Sequence, residues 1–133
     1  MELIFMSNEK TVVSSNSPFE DFLGSSRAIK KGNIIVVAGT APLNTNGETT
    51  TSNVYEQTKS CIDVIKSSLE KMGSSLEDVV RTKIYITDMN KWNEAAKAHK
   101  EYFSKIKPAC TVFEVNRFIK EEWLVEVEAD CLL

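Results

Sequence analysis

The sequence predicts an α+β domain in which one mixed β-sheet carries two helices on a single face. The chain has 133 residues, which suits one domain with one hydrophobic core. Two long segments repeat apolar residues at three- and four-residue steps, and short β-branched segments flank both of them. The predicted order is a hairpin, a helix, a strand, a helix and two strands, so each helix lies between strands.

We expect residues 1–133 to form a single domain, with residues 1–17 as an N-terminal tail or an edge strand. The chain is 42% hydrophobic and 26% charged, as in ordinary globular proteins. No apolar run approaches the ~20 residues that a membrane helix needs. The first six residues are too short and too acidic for a signal peptide. A cytoplasmic location is therefore the expectation.

Cysteine usage and charge exclude several kinds of site. Cys61, Cys110 and Cys131 lie far apart and match no zinc-binding spacing, so we expect reduced thiols and no metal. The net charge is −3 and lysines alternate with acidic residues along the chain. Because binding to phosphates needs clustered basic residues, nucleic acid is not expected as the main partner.

The first predicted elements are a hairpin after a turn-rich loop. Residues 14–18 form the loop, and residues 26–29 and 34–39 are the two strands of the hairpin. Gly32 and Asn33 between these strands tolerate the positive φ angles of a tight turn.

The first long helix is predicted to begin after Asn53. Glu56 follows three residues later, as in a capping box, and Gly73 ends the helix. One face of this helix carries Val54, Thr58, Cys61, Ile62, Ile65, Leu69 and Met72.

A strand over residues 79–87 and a second helix are predicted next. In the strand, strict alternation places Val80, Thr82, Ile84 and Ile86 on one face, and Val79, Arg81, Lys83, Tyr85 and Thr87 on the other. Asp88 or Asn90 caps the helix, and Pro108 closes the segment after it. The apolar stripe of the helix is Trp92, Ala95, Ala96, His99, Tyr102 and Phe103.

Two final strands are predicted at residues 109–115 and 123–132. The last strand alternates carboxylates, Glu126, Glu128 and Asp130, with the apolar residues between them. Residues 34–38 of the earlier hairpin are apolar on both faces, whereas two helices cover only one face of the sheet. Association with further copies of the chain is the simplest cover for the other face.

Several motifs, taken together in order and spacing, resemble one known family. They are RAIKKGN at 27–33, VAGTAP at 37–42, QT at 57–58, LEDVVRTKIYITD at 76–88, KPACTVFEV at 107–115 and LVEVEA at 124–129. From residue 26 to the C-terminus the chain resembles the RidA/YjgF reactive-intermediate deaminase family. The resemblance implies a chorismate-mutase-like fold and a homotrimer with ligand clefts between subunits. It also implies hydrolysis of small enamines and imines to carbonyl products and ammonia, without cofactor or metal.

The chain departs from that family at the substrate-binding arginine. Typical deaminating members carry, after Pro-Ala in the penultimate strand, an arginine that binds the substrate carboxylate, and here that position is Cys110. A thiol cannot replace a bidentate guanidinium. Ala38 replaces a frequent serine and Ser25 a frequent tyrosine, whereas Glu126 matches the acidic residue near the cleft. The resemblance therefore implies a divergent member with a non-standard substrate preference.

Five residues are candidates for the site. Glu126 is the candidate catalytic residue, because adding water to an imine needs a base near the carbon; a solvated acidic face is the alternative. Arg27 and Arg81 are candidate anion-binding residues, and for Arg81 a salt bridge with Glu77 or Asp78 is the alternative.

Cys110 and Thr111 complete the candidate set as ligand contacts. For Cys110 a thiolate nucleophile requires a nearby cation or helix N-terminus, and the alternative is a small packing residue. For Thr111 the alternative is simple β propensity. His99 is the one histidine and is interpreted as a packed or interface residue.

Three function classes follow from these residues. The first is a RidA-like hydrolase of small enamines or imines. The second is a non-catalytic trimer that binds a small metabolite, which the loss of arginine at position 110 favours. The third and weakest is RNA cleavage or translation inhibition, which has been attributed to some relatives of this family.

Overall fold

The computed structural model describes residues 9–51 and 53–133, so the predictions for residues 1–8 lie outside the described residues. The strands are β1 (Lys10–Val13), β2 (Ala28–Lys31), β3 (Ile34–Thr40), β4 (Val79–Ile86), β5 (Ala109–Glu114) and β6 (Val125–Leu132). The helices are α1 (Pro18–Leu23), α2 (Val54–Lys71) and α3 (Trp92–Phe103).

The strands of this described part form one six-stranded sheet in the order β1-β2-β3-β6-β4-β5. β4 and β5 are parallel, and all other neighbouring strands are antiparallel. Helices α2 and α3 pack on one face of the sheet. That face and the helices form the core, which includes Ile35, Val37, Ile62, Ile65, Leu69, Ile84, Val125 and Val127. The predicted α+β fold, with a mixed sheet and two helices on one face, is confirmed.

Helix α2 begins as predicted, because Asn53 Oδ1 accepts a hydrogen bond from Glu56 N at 3.0 Å. In α3 the buried residues are Ala95, Ala98 and Phe103, whereas Trp92 is exposed. Trp92 was expected in the core or at a subunit contact; the core placement is wrong, and the subunit contact stays a prediction.

The short helix α1 was not predicted, since residues 14–18 were interpreted only as a loop. Ser17 caps it by accepting a hydrogen bond from Phe19 N at 3.3 Å, and Pro18 occupies the first turn. Gly24 ends it at a φ of 68°. Six residues are too few for a helical repeat to emerge, so the Ser-Pro pair was the only available signal.

Two register shifts change which side chains are buried. The β4–β6 ladder is irregular between Val79 and Arg81, and consequently Val79 is buried while Val80 is exposed. The strict alternation expected for residues 79–87 is wrong at this one step. A second shift, between Val37 and Thr40, lies in the β3–β6 ladder. Both shifts arise from an extra residue that the partner strand does not match.

The sheet face opposite α2 and α3 carries apolar residues in contact with solvent. Ile34 and Val36 of β3 are 49% and 40% exposed, and Leu132 of β6 is also exposed. Along β3 the exposed residues Ile34 and Val36 alternate with the buried residues Ile35 and Val37, so the strand is apolar on both faces as the sequence predicted. At the sheet edge, β1 pairs antiparallel with β2. No helix of the described residues is both long and apolar enough to cross a membrane.

Candidate functional site

The β3 bulge is the backbone feature around which the candidate site is built. Val37 pairs with Ala129 and Thr40 pairs with Val127. Between these two pairs β3 advances by three residues and β6 by only two, so β3 contains one extra residue. The extra residue turns Thr40 toward the core, where it is fully buried. It also leaves the carbonyl groups of Ala38 and Gly39 out of the regular ladder, where a side chain can reach them.

Arg27 supplies the donor for these carbonyls. Its Nη1 donates to Gly39 O at 2.5 Å, to Thr40 Oγ1 at 3.2 Å and to Ala38 O at 3.5 Å. Thr40 Oγ1 itself donates to Ala38 O at 2.7 Å. Among the described residues, Nη2 and Nε of Arg27 have no hydrogen-bond partner. The guanidinium is therefore fixed to the bulge by one nitrogen and has further N–H groups for an anion.

Glu126 lies against the other side of Gly39. A Cβ atom added to Gly39 would lie 3.0 Å from Glu126 Oε1, a contact tight enough that the carboxylate would have to shift. The side chain of Glu126 is half-buried. Burial raises the pKa of this carboxyl, Arg27 opposes the shift and Glu128 adds to it. A carboxyl with a raised pKa is suited to exchange protons near neutral pH.

Glu20 of α1 is the third charged group of the site, beside Arg27 and Glu126. Nothing in the sequence singled it out. It is buried and accepts hydrogen bonds from Ser14 Oγ at 2.8 Å, Ser15 N at 3.0 Å and Ser15 Oγ. Burial alone would raise the pKa of Glu20, but these hydrogen bonds outweigh it and lower the pKa. Burial also lowers the pKa of Arg27, while Glu20 and Glu126 counteract that shift.

Arg27 and Glu126 both line one cleft of about 820 Å³. Its walls come from α1 with the loops around it, the β3 bulge, α2 and residues 119–126. Phe19 and Trp123 meet edge to face across the cleft wall, with ring centroids 6.0 Å apart. Gln57 fixes the neighbouring backbone, because its Nε2 donates to Glu122 O at 3.0 Å and its Oε1 accepts from Leu124 N at 2.9 Å.

The remaining candidate residues lie elsewhere on the sheet. Cys110 pairs with Thr82 and Thr111 pairs with Lys83, so their side chains point to opposite faces of β5. Both are exposed on the edge strand, and neither lines the cleft of its own chain. The structure thus brings Arg27 and Glu126 together and separates them from Cys110 and Thr111.

Arg81 is exposed on β4, with Asp130 as its ladder partner on β6. Within the described residues no ion pair joins it to Glu77 or Asp78. His99 is a packed residue: its Nε2 shares a hydrogen bond of 2.8 Å with Thr82 Oγ1, and burial lowers the pKa of its ring.

Arg117 is a further residue that the sequence analysis did not single out. It lines a shallow depression together with Phe118, Ile119 and Glu126. Its side chain is exposed, and in the sequence nothing distinguishes it from other loop arginines. In residues 9–51 and 53–133 no group of three or more ligating side chains could hold a metal ion. The arrangement offers a carboxyl for proton transfer and guanidinium groups for anions.

Comparison with known proteins agrees with this fold. The family model described as Endoribonuclease L-PSP matches residues 21–132. A RutC family protein of Pyrococcus abyssi is 43% identical over 105 residues, which cover 78% of this chain and 82% of that protein.

Solved structures extend the likeness to almost the whole chain. The crystal structure of Rv2704 from Mycobacterium tuberculosis, a member of the YjgF/YER057c/UK114 family, has a TM-score of 0.87 at 38% identity and covers 94% of this chain and 100% of its own. The YjgF gene product of E. coli has a TM-score of 0.77, covers 95% and 94% of the two chains and, at 24% identity, supports the fold alone. With its sheet, its helices and residues 21–132 all matched, this chain belongs to the YjgF/RidA family.

Proposed function

We propose that this protein hydrolyses small reactive enamines and imines, releasing ammonia and a carbonyl product. One observation carries the proposal: Arg27 and Glu126 meet across Gly39 inside a single cleft. A base and an anion-binding group side by side are what hydrolysis of an anionic imine requires. The family resemblance supports the same reaction class.

Glu126 performs the proton transfers in this proposal. An enamine first tautomerises to the imine, gaining a proton at carbon and losing one from nitrogen. The Glu126 carboxylate then accepts a proton from water as the water oxygen bonds to the imine carbon, and Glu126 returns that proton to the imine nitrogen to give a carbinolamine. The C–N bond then breaks, ammonia leaves and the carbonyl forms, so one imine and one water give one carbonyl and one ammonia. The raised pKa of Glu126 supports a residue that both accepts and returns a proton.

Arg27 binds the anionic group of the substrate through the N–H groups that the bulge does not use. Nη1 is already bonded to Gly39 O, which fixes the plane of the guanidinium before substrate binds. Pre-organisation of this kind lowers the entropic cost of binding. Since Cys110 replaces the usual arginine, we propose a substrate preference that differs from that of typical deaminating members.

The proposal includes a homotrimer whose clefts are completed by neighbouring copies. The exposed apolar residues Ile34 and Val36 support self-association, because contiguous apolar surface mostly marks an interface. In such an assembly Cys110, Thr111 and Arg81 would reach the cleft of the next copy. We also propose a cytoplasmic location for a single domain of residues 1–133, which the three free cysteines support.

Ammonia release tests the hydrolase directly. The purified protein is incubated with freshly generated 2-aminoacrylate and with several other imines, and ammonia is followed against buffer. Faster release with protein supports the proposal, and equal rates across all imines remove it. Cys110→Arg is the matched variant: a gain of 2-imino acid hydrolysis indicates an intact scaffold whose carboxylate site has changed.

A non-catalytic metabolite-binding trimer is the second candidate function, favoured by Cys110 in place of arginine. A ligand that prefers the native state raises the melting temperature. A thermal-shift panel of 2-oxo acids and other metabolites at millimolar concentration therefore tests it. A shift without any imine hydrolysis supports binding alone, and no shift counts against this candidate.

RNA cleavage is the weakest candidate, although the matching family carries an endoribonuclease description. A net charge of −3 opposes it, because RNA binding relies on clustered cations. Failure to retain RNA at both low and high salt would exclude it.

A further inference from the structure

Glu20 is the one charged side chain that is buried in the described part of the chain. It is 6% exposed, whereas the other buried polar residues are all uncharged: Thr40, Gln57, Thr58, Ser68 and Thr82. Burying a carboxylate costs free energy unless hydrogen bonds or an opposite charge compensate for the lost water. The position of Glu20 therefore points to a role for its charge.

The loop before α1 holds both carboxylate oxygens of Glu20. Oε1 accepts a hydrogen bond from Ser14 Oγ at 2.8 Å, and Oε2 accepts from Ser15 N at 3.0 Å and from Ser15 Oγ. The backbone adds a further tie, because Ser25 N donates to Glu20 O at 2.9 Å. Burial alone would raise the pKa of Glu20, but the hydrogen bonds from Ser15 and Ser14 outweigh it and lower the pKa. Glu20 is therefore a fixed negative charge at neutral pH.

Arg27 is the cation that Glu20 attracts. Glu20, Arg27 and Glu126 all line the same cleft. Burial lowers the pKa of Arg27, and Glu20 counteracts that shift more than Glu126 does. Among the described residues no ion pair joins Arg27 to either carboxylate, and the guanidinium is anchored to the β3 bulge by Nη1 alone. Its other N–H groups can therefore turn toward the carboxylate that attracts them more.

Glu126 is an effective base only while Arg27 does not pair with it. A guanidinium that binds a carboxylate lowers the pKa of that carboxyl and makes it a weaker proton acceptor. Burial raises the pKa of Glu126, Arg27 opposes this shift and Glu128 adds to it. A second carboxylate that attracts Arg27 reduces this opposition.

The other titratable and charged groups around Glu126 do not replace Arg27 in this relationship. They are Tyr85 on β4, Glu128 on β6, Cys61, Asp63 and Lys71 on α2, and Arg117 in the loop before β6. The hydrogen bond to Glu128 raises the pKa of Tyr85 to about 12, and burial raises the pKa of Cys61, so both groups stay neutral. Arg117 is exposed to solvent, which screens its charge.

We propose that Glu20 is a positioning residue for the reaction: its carboxylate attracts the Arg27 guanidinium and keeps it from pairing with Glu126. This inference rests on the proposed hydrolase function and gives the short helix α1 a part in it. Without the Glu20 charge, Arg27 turns toward Glu126 and forms an ion pair with the base. The family model begins at residue 21, so Glu20 lies just outside the segment that it matches.

The test is an NMR titration of the Glu126 side-chain carboxyl carbon, whose signal is assigned by its loss in Glu126→Gln. In Glu20→Gln we expect the titration midpoint of Glu126 to move to lower pH, because Arg27 then pairs with it. Asp21→Asn removes an exposed carboxylate from the same helix and is the matched control, with the wild-type midpoint expected. An unmoved midpoint in Glu20→Gln, or an equal shift in both variants, would overturn the inference.

Two further variants separate the charge of Glu20 from its hydrogen bonds. Glu20→Gln also loses contacts with Ser14 and Ser15, whereas Ser15→Ala loosens the same loop and keeps the charge. A shift in Ser15→Ala as large as that in Glu20→Gln would show that loop structure moves the Glu126 midpoint, against the inference. In an Arg27→Met background, Glu20→Gln should no longer move the midpoint, and a shift that persists there would contradict a role through Arg27.

Imine hydrolysis gives the functional readout and distinguishes failure of this inference from failure of the hydrolase. We expect the acid limb of the pH profile of kcat/KM to move to lower pH in Glu20→Gln, in the same direction as the NMR midpoint. A midpoint that moves as predicted in a protein that hydrolyses no imine would remove the hydrolase and leave the effect of Glu20 on Arg27 and Glu126 standing. Imine hydrolysis with an unmoved midpoint would remove this inference and leave the hydrolase standing.

Discussion

Gly39 separates Arg27 from Glu126: its carbonyl accepts a hydrogen bond from Arg27 Nη1 at 2.5 Å, and its missing side chain makes room for Glu126 Oε1. A bulge in β3 creates both contacts at once. Arg27 and Glu126 are therefore positioned by their contacts with the backbone at Gly39, and no ion pair between the two side chains holds them. This dependence on one glycine leads to the first prediction.

Gly39→Ala should displace the Glu126 carboxylate, since the new Cβ would lie 3.0 Å from Oε1. We expect a loss of kcat for imine hydrolysis that is smaller than the ~100-fold loss caused by a misplacement of ~1 Å, because the carboxylate has to shift by less than that. The assay is steady-state kinetics on Gly39→Ala, Glu126→Gln and the double variant. If the effect acts through Glu126, the double variant is no worse than Glu126→Gln alone; additive losses would contradict this explanation.

Arg27→Met should weaken the fold as well as the site. It removes a charged donor from Gly39 O, and hydrogen bonds to charged groups contribute about 1.5–3 kcal/mol each to stability. Urea unfolding measures this difference. Lys31→Met, on an exposed position of β2, is the control for loss of positive charge. Equal unfolding midpoints in the two variants would show that Arg27 does not stabilise the bulge.

Glu126→Gln should stabilise the protein increasingly as pH rises. Burial raises the folded-state pKa of Glu126 above its ordinary value of 4.5. Its favourable contribution to folding is therefore complete below the unfolded pKa and is lost as pH rises through the folded pKa. Glutamine does not titrate, so the melting temperatures of the two proteins should be similar near pH 4 and diverge progressively toward pH 7, with Glu126→Gln the more stable.

Glu121→Gln, on an exposed position of the loop before β6, controls for removing one negative charge in the same scans. A Glu126→Gln protein that is less stable than wild type at neutral pH would indicate that the carboxylate is stabilised by partners, contrary to its raised pKa.

Val36→Asp should break self-association. Val36 lies on the sheet face opposite α2 and α3, directly across from Asp130 on β6, so a second carboxylate there would be repelled by Asp130 and costly to bury. Sedimentation velocity at micromolar concentration should show an oligomer for wild type and a monomer for the variant. Lys66→Glu on α2 is the control for a change of charge outside this face. A folded wild-type monomer would refute the homotrimer.

The larger elements were predictable from the sequence because each carries a repeated local signal. Helix α2 has eighteen residues, a stripe of apolar positions and a cap at Asn53 that the structure reproduces. Helix α1 has only six residues, and its one signal was the Ser17–Pro18 pair. Length therefore decided which helices the sequence revealed.

The bulges were not predictable, because alternation assumes an unbroken strand. The shift between Val37 and Thr40 depends on β6, which lies far away in the sequence. It is this shift that exposes Gly39 O to Arg27, so their contact could not be foreseen from spacing. Glu126 was predicted through the family resemblance alone, and Glu20 carried no signal of its own.

The rate of imine disappearance in wild type, Glu126→Gln and Asp130→Asn tests the central claim most directly. Both substituted residues are carboxylates on β6, but only Glu126 lines the cleft. We predict that wild type and Asp130→Asn accelerate hydrolysis and release of ammonia, while Glu126→Gln falls to the rate in buffer. A Glu126→Gln protein as active as wild type would contradict the assignment of Glu126 as the catalytic residue.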